Sequence, residues 1–372
     1  MRIVNVAQSN LCNIGTNLSR GLRRLGHDAR SLVLRPAPYD MDTDLMWSRD
    51  TEMCRQVLEG AEALHLNSLA AGFTLWLQRP PFDLARVCRG RRIVVQYHGG
   101  DLRRTTHPSV KALIARHRLP AVVTVPDLLP DLPGAAWLPI PVDPNDPLYA
   151  PGSPPTSPIR ICHAPSTRAI KKTDAFLAAT DRLRERYDID VVLIENKPFA
   201  ECLAVKRTCH INFDNVGFGS YAAASIESLL MEQPSLVYLN ESSVAAVRGA
   251  STEVGIESPL VQVGDERQPT HEQLNAILEG TAKPTYSEGD VASIADALEP
   301  LIADDGYRRE IGRRGRRWAA AVHGDRRIAA IAARLYEETP TLDGFHGAER
   351  LEQLFSWGAV TARNMMKEKR KR

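Results

Sequence analysis

Residues 214–228 read DNVGFGSYAAASIES, and how this stretch folds decides the class of the whole chain. An apolar run, HINFD (210–214), leads into it, and a helical pattern over 221–232 leads out, with Ile226, Leu229 and Leu230 on the inward side and Glu227 beside them. Strand, glycine turn, helix is the local architecture that holds nucleotide phosphates, because bare backbone approaches the ligand and the helix N-terminus attracts its charge. Gly217-x-Gly219-x-x-Ala222 also fits a dinucleotide fingerprint. Asp214, Asn215 and Val216 separate the strand core from the first glycine, whereas dinucleotide turns follow their strand more tightly. Glu241 stands near the distance of a ribose-binding acid, so an NAD-dependent oxidoreductase or epimerase stays open as the alternative to another ligand that carries a diphosphate.

Outward from this turn the same alternation recurs. IRICHA (159–164), DVVLIE (190–195) and SLVYL (235–239) read as strands, and helices are expected near 173–187 and 199–207. The first half repeats the pattern with RIVNVA (2–7), SLVL (31–34), ALHLN (63–67), RIVVQYH (92–98) and AVVTV (121–125). Leu18, Leu22 and Leu25 mark one helical face between the first two strands. Strands separated by helices pair in parallel. Residues 139–158, PIPVDPNDPLYAPGSPPTSP, hold eight prolines and form a connector. The expectation is an α/β chain of two Rossmann-like domains, residues 1–150 and 159–317, facing each other across a cleft. A final helix near 315–338, carrying Trp318, Val322, Ile328, Ile331 and Leu335, is expected to pack its part from 318 to 338 back on the first domain. Residues 339–372 form a tail ending in KEKRKR. It reads as a frayed, solvated terminus, with contact to an anionic membrane surface as the alternative.

A chain of 372 residues suits two domains. A formal net charge of +2 implies no broad positive field, which argues against nucleic acid as a general partner. Cys12, Cys54, Cys88, Cys162, Cys202 and Cys209 show no CxxC spacing and suggest neither a disulfide framework nor a zinc site. MRIVNVAQSN lacks the long apolar core of a signal peptide, and no run of 18 apolar residues occurs, so a cytoplasmic chain is expected.

Chemistry concentrates after strands. YHGGDLR (97–103) sets His98, Gly99 and Asp101 at a strand's carboxyl end. HAPSTRAIKKTD (163–174) crowds Ser166, Arg168 and Lys171 into a loop that opens a helix, a combination suited to phosphate oxygens. Glu227 is placed to accept hydrogen bonds from ribose hydroxyls. Asp188-Ile189-Asp190 and Asp40-Met41-Asp42 copy an Asp-x-Asp metal device but lie at a strand start and in a loop, so both read as solvated.

Together HGGDLR, TVPDLL (124–129), AAWLPIPVD (135–143), HAPSTRAIKKTD and GSYAAASIESLLMEQPSLVY (219–238) resemble retaining glycosyltransferases of the GT-B fold, in the GT4 or glycosyl transferases group 1 class. The resemblance runs from Met1 to about Glu338. It implies that His98 sits near the donor sugar's C6 hydroxyl, that Arg168 and Lys171 clamp the donor diphosphate, and that Glu227 matches the second glutamate of the E-x7-E motif. It further implies donor contacts at Gly15, Ser166, Gly219, Ser220 and Tyr221, and sugar or acceptor contacts at Gly99 and Asp101. The co-substrate would be a nucleotide diphospho-sugar, with no cofactor and no metal required. Gly219 stands where the motif has its first glutamate, Ala222 where it has a glycine, and Lys172 where a glycine follows the clamp lysine. The first of these departures keeps a third reading open, a catalytically degenerate sugar-nucleotide-binding subunit.

Overall fold

The computed structural model describes residues 1–68, 88–99, 120–264, 273, 276–277 and 286–341. Asp101 and the tail beyond Thr341 lie outside them. The described chain divides into two compact units, one holding Met1–Thr124, Asp131–Val142 and the chain from Asp325, the other Val125–Pro130 and Asp143–Gly324.

The first unit is a parallel sheet of seven strands in the order β3-β2-β1-β4-β5-β6-β7. Its strands are β1 (Arg2–Ala7), β2 (Asp28–Val33), β3 (Leu45–Met46), β4 (Ala63–Asn67), β5 (Arg92–Tyr97), β6 (Ala121–Val123) and β7 (Ala136–Trp137). β1 and β4 occupy the expected residues: β1 is rich in β-branched residues, and β4 is a short run buried on both faces, too short for a buried helix. The order reverses at β1, which puts the topological switch between β1 and β4. On one face, Leu18 and Leu22 of the helix Ile14–Arg24 pack with Ile328, Ala329 and Ala332 over Ile3, Ala63, Val94 and Val122. The two helices touch at Gly21, where a Cβ would lie 2.5 Å from the Asp325 carbonyl oxygen. An Arg24–Asp325 ion pair flanks that contact.

The second unit is a parallel sheet in the order β12-β11-β10-β8-β9. It comprises β8 (Ile159–His163), β9 (Ile189–Leu193), β10 (Ile211–Asn215), β11 (Ser235–Val237) and β12 (Val261–Gln262). Phe176, from the helix Thr173–Arg184, stacks on Phe213 of β10 with centroids 4.4 Å apart at the centre of its core. Burying each such ring contributes about 1.5–3 kcal/mol. The helix Ala223–Leu230 lies against the helix Asp305–His323 through glycines: Cβ atoms at Gly312 and Gly315 would meet the Glu232 carbonyl oxygen and Leu229 Cδ2 at 2.0 and 2.8 Å.

The single final helix expected over 315–338 is instead two, Asp305–His323 and Asp325–Glu338, broken at Gly324. The apolar spacing runs on through the break, so periodicity is blind to it. The break arises because the Asp325 N–H donates to the Val142 carbonyl at 2.7 Å rather than continuing the ladder. Ile331, expected on the buried face, is 37% exposed. The proline-rich connector holds one short 3-10 turn, Pro147–Tyr149, capped by Asp146. All six cysteines are free thiols, and four of them are buried. No helix among the described residues is long and apolar enough to cross a membrane.

Candidate functional site

In the second unit the chemistry gathers at the carboxyl ends of β8 and β10. After His163 the chain passes Ser166, which is exposed, and enters the short helix Arg168–Lys171. Gly217, in the turn after β10, faces this helix so closely that a Cβ would sit 1.5 Å from the Ile170 carbonyl oxygen. That approach brings Lys171 Nζ to 2.7 Å from Asp214 Oδ1, both side chains being buried. The other carboxylate oxygen accepts from Ser225 Oγ and from the Ala222 backbone N–H, each at 2.7 Å. Burial works to raise the Asp214 pKa, but the Lys171 charge and these hydrogen bonds outweigh it and hold the group below the ordinary carboxylate range. One carboxylate thus ties the short helix, the glycine turn and the start of the helix Ala223–Leu230 together.

Arg168 is half-exposed and grips Glu195 with both ends of its guanidinium fork, Nε to Oε1 at 2.8 Å and Nη2 to Oε2 at 2.5 Å. The hydrogen bonds lower the Glu195 pKa and raise that of Arg168. Glu227 accepts from Lys206 Nζ at 2.6 Å. Lys206 is fully buried, and although burial disfavours its charge, the Glu227 carboxylate and nearby cysteines raise its pKa. The Glu227 side chain keeps 12% of its surface accessible. Lys172 takes φ 53°, ψ 44°, the left-handed conformation that a glycine adopts without strain, which is the residue type the resemblance expects there. Its ammonium pairs with Asp290, the N3 residue in the capping box of the helix Glu288–Ala303. Beneath them His163 is buried between the Phe213 carbonyl and Thr173 Oγ1, at 2.9 and 2.8 Å. Burial, with the Lys171 charge, lowers its pKa to about 3. The imidazole is therefore neutral, with Nδ1–H donating to the carbonyl and Nε2 accepting from the hydroxyl.

The glycine turn itself is filled by protein. A Cβ at Gly219 would meet the Asn240 side chain at 2.6 Å, and the Asn240 N–H donates to the Gly219 carbonyl at 3.0 Å. Asn240 also caps the helix Glu241–Val254 through Ser243 N. Ser220 is fully buried. Tyr221 is buried against Trp318 and His323, and its hydroxyl lies 2.9 Å from His323 Nε2.

In the first unit, Gly15 lies not in a turn but in the first turn of the helix Ile14–Arg24, where a Cβ would make ordinary contacts with Asn5, Asn67 and Ser31. His98 follows β5, with Nδ1 2.7 Å from Thr124 Oγ1, and Gly99 beside it is half-buried. Asp188 accepts from Ser157 and Asp190 pairs with Arg160, both at the amino end of β9, while Asp42 pairs with Arg20. Sequence reasoning did not find Glu195, Lys206 or the buried role of Asp214. Asp214 had a signal, being an acid at the end of an apolar strand. Lys206, the last residue of the helix Phe199–Lys206, looks in the sequence like any solvated helix-terminal cation.

The sequence matches no protein-family model and no curated protein. Solved structures do match. An alpha-glucosyltransferase in complex with UDP-glucose and DNA containing an abasic site aligns with TM-score 0.57 at 8% identity, over 90% of this chain and 99% of its own. A sucrose-phosphate synthase from Thermosynechococcus elongatus aligns with TM-score 0.51 at 14% identity, over 91% and 99%. A mutant O-GlcNAc transferase from Thermobaculum terrenum aligns with TM-score 0.54 at 14% identity, over 96% of this chain and 69% of its own. The architecture is that of the GT-B glycosyltransferases, and at these identities the likeness is one of fold.

Proposed function

We propose that this chain is a retaining glycosyltransferase of the GT4 kind, a hexosyltransferase that moves a sugar from a nucleotide diphospho-sugar to an acceptor. The observation that carries this reading is the placement of Ser166, Arg168 and Lys171 directly after β8, with Lys171 bound to Asp214 near the end of the adjacent strand β10, the ligand-binding end of a parallel sheet; Glu227 lies on the helix that follows β10. Two matched structures are described as complexes with UDP or UDP-glucose, which agrees with a nucleotide donor.

Charge develops on the departing diphosphate, so cations already in position lower the barrier most. Arg168 is the residue suited to meet it. Its side chain is half-exposed and held in a fixed fork by Glu195, which preorganises the guanidinium. Lys171 is buried on Asp214 and acts by shaping the turn and lending a fixed dipole. Glu227, anchored through one oxygen by Lys206, retains Oε1 for ribose hydroxyls. The acceptor attacks on the face from which the diphosphate leaves. No cofactor or metal takes part in this scheme, and of the two Asp-x-Asp pairs Asp188, Asp190 and Asp42 are engaged with neighbouring protein groups. The acceptor is not nucleic acid, since the net charge of +2 supplies no field for it, and the work is cytoplasmic. The division of labour is acceptor contacts in residues 1–150 and donor contacts in 159–317.

The NAD reading loses support from the glycine turn. The Ile170 carbonyl and the Asn240 side chain stand where a pyrophosphate would need to approach Gly217 and Gly219. The degenerate-binder reading draws on that same contact, because Asn240 closes the position at which the resemblance expects a sugar-binding glutamate. Incubation with a panel of nucleotide sugars and glycoside acceptors, with product anomers read by NMR, decides between them. Transfer with retained configuration supports the proposal. Inverted product, or nucleotide-sugar binding with no turnover across the panel, rejects it.

A further inference from the structure

One face of the first unit's sheet carries a chain of polar side chains through an otherwise apolar layer. Side chains alternate across a strand, so His65 shares a face with Ala63, Gln96 and His98 with Val94, and Thr124 with Val122. Those apolar residues belong to the core under the helix Asp325–Glu338, which contributes Tyr336. The Tyr336 hydroxyl lies 2.7 Å from His65 Nδ1, and His65 Nε2 lies 2.8 Å from Gln96 Oε1. Gln96 Nε2 donates to Thr124 Oγ1 at 3.1 Å, and Thr124 Oγ1 lies 2.7 Å from His98 Nδ1. Tyr336, His65 and Gln96 are fully buried, and Thr124 nearly so.

Donor and acceptor rules give this chain one direction. Gln96 Oε1 can only accept, so His65 carries its proton on Nε2 and accepts from the Tyr336 hydroxyl at Nδ1. Burial lowers the His65 pKa to about 4, which keeps the ring neutral as this pattern requires. The Thr124 hydroxyl receives the Gln96 amide, and among the described residues the acceptor within reach of its own proton is His98 Nδ1, so this buried donor is met only if it points there. The reverse polarity would need a second partner for the Tyr336 hydroxyl proton. Among the described residues that hydroxyl has none besides His65, and an unmet buried donor is costly.

We propose that Tyr336, His65, Gln96 and Thr124 act as a positioning relay that fixes neutral His98 as the Nε2–H tautomer. With Nδ1 accepting from Thr124 and Nε2 protonated, the ring offers a ligand a hydrogen-bond donor, and its one lone pair is turned into the relay. It recognises an oxygen acceptor on the ligand, and it cannot serve as the general base that activates the attacking nucleophile. That the oxygen belongs to the donor sugar rests on the glycosyltransferase reading; the tautomer does not.

The test is long-range proton–nitrogen correlation NMR of the full chain labelled with ¹⁵N-histidine, at about pH 8 where an ordinary imidazole is neutral. The His98 signals are assigned by their loss in His98→Gln. The relay predicts an unprotonated Nδ1 and a protonated Nε2 in the unsubstituted protein. Thr124→Val gives mixed tautomers and slows transfer about tenfold through kcat, and Thr124→Ser restores both. An Nδ1–H ring in the unsubstituted protein, or a pattern that Thr124→Val leaves unchanged, overturns the relay. The predicted tautomer without sugar transfer on any donor leaves the relay standing and defeats the glycosyltransferase reading instead.

Discussion

Three side chains that the sequence singles out for ligand binding each hold an opposite charge: Arg168 with Glu195, Lys171 with Asp214, Glu227 with Lys206. The candidates were legible because each follows a strand. Their partners were not, because they come from 27, 43 and 21 residues away, and no local pattern marks the pairing. Burial divides the expected consequences. Asp214→Asn leaves the Lys171 ammonium buried without its counter-charge, and should destabilise the protein by about 3–5 kcal/mol in urea unfolding at neutral pH. The folded pKa of Asp214 lies below its unfolded value, so its stabilisation is fully present above about pH 4 and is lost as pH falls through the lower folded value. The difference between the unsubstituted protein and Asp214→Asn should therefore shrink on acidification; a constant difference down to strongly acid pH would show that the pair does not carry it. Arg168→Ala, at a half-exposed position, should leave the melting temperature nearly unchanged while lowering kcat by about 10²–10³, checked by calorimetry and steady-state rates on the same preparation.

At the scale of elements, sequence periodicity recovered β1 and β4 to the residue and most other strands to within a few. It missed the helices Thr51–Gly60, Glu241–Val254 and Glu288–Ala303, and it merged two helices across Gly324. Glu241–Val254 has Ser, Gly and Thr among its inward and outward positions alike, so its stripe is faint, and its start is set by the Asn240 cap. The glycines of the opening motif were read as room for a phosphate, but Gly217 and Gly219 accommodate the short helix Arg168–Lys171 and Asn240. Adding a methyl group at Gly217 would push against backbone, which cannot swing aside. Gly217→Ala should cost about 1–3 kcal/mol and weaken nucleotide binding with it, whereas Gly15→Ala, with ordinary contacts at its Cβ, should cost neither. Equal tolerance of the two substitutions in thermal melts would contradict this account of the turn.

For the molecule as a whole, alternation of strand and helix was sufficient to give two parallel sheets, and the fold matches GT-B glycosyltransferases at identities too low for sequence comparison alone to establish kinship. What composition does not contain is which base, sugar and acceptor the proposed transfer would use, because those depend on loop shape rather than on periodicity. The central claim is that the carboxyl end of the second sheet receives a nucleoside diphosphate through Arg168. It is tested most directly by thermal unfolding of the unsubstituted protein and of Arg168→Ala against UDP, GDP, ADP and NADH. A nucleoside diphosphate at a hundred times its Kd should stabilise the unsubstituted protein by about 2.7 kcal/mol, and the same concentration should stabilise Arg168→Ala far less. Stabilisation by NADH alone, or equal stabilisation of both proteins by the diphosphate, would contradict the claim.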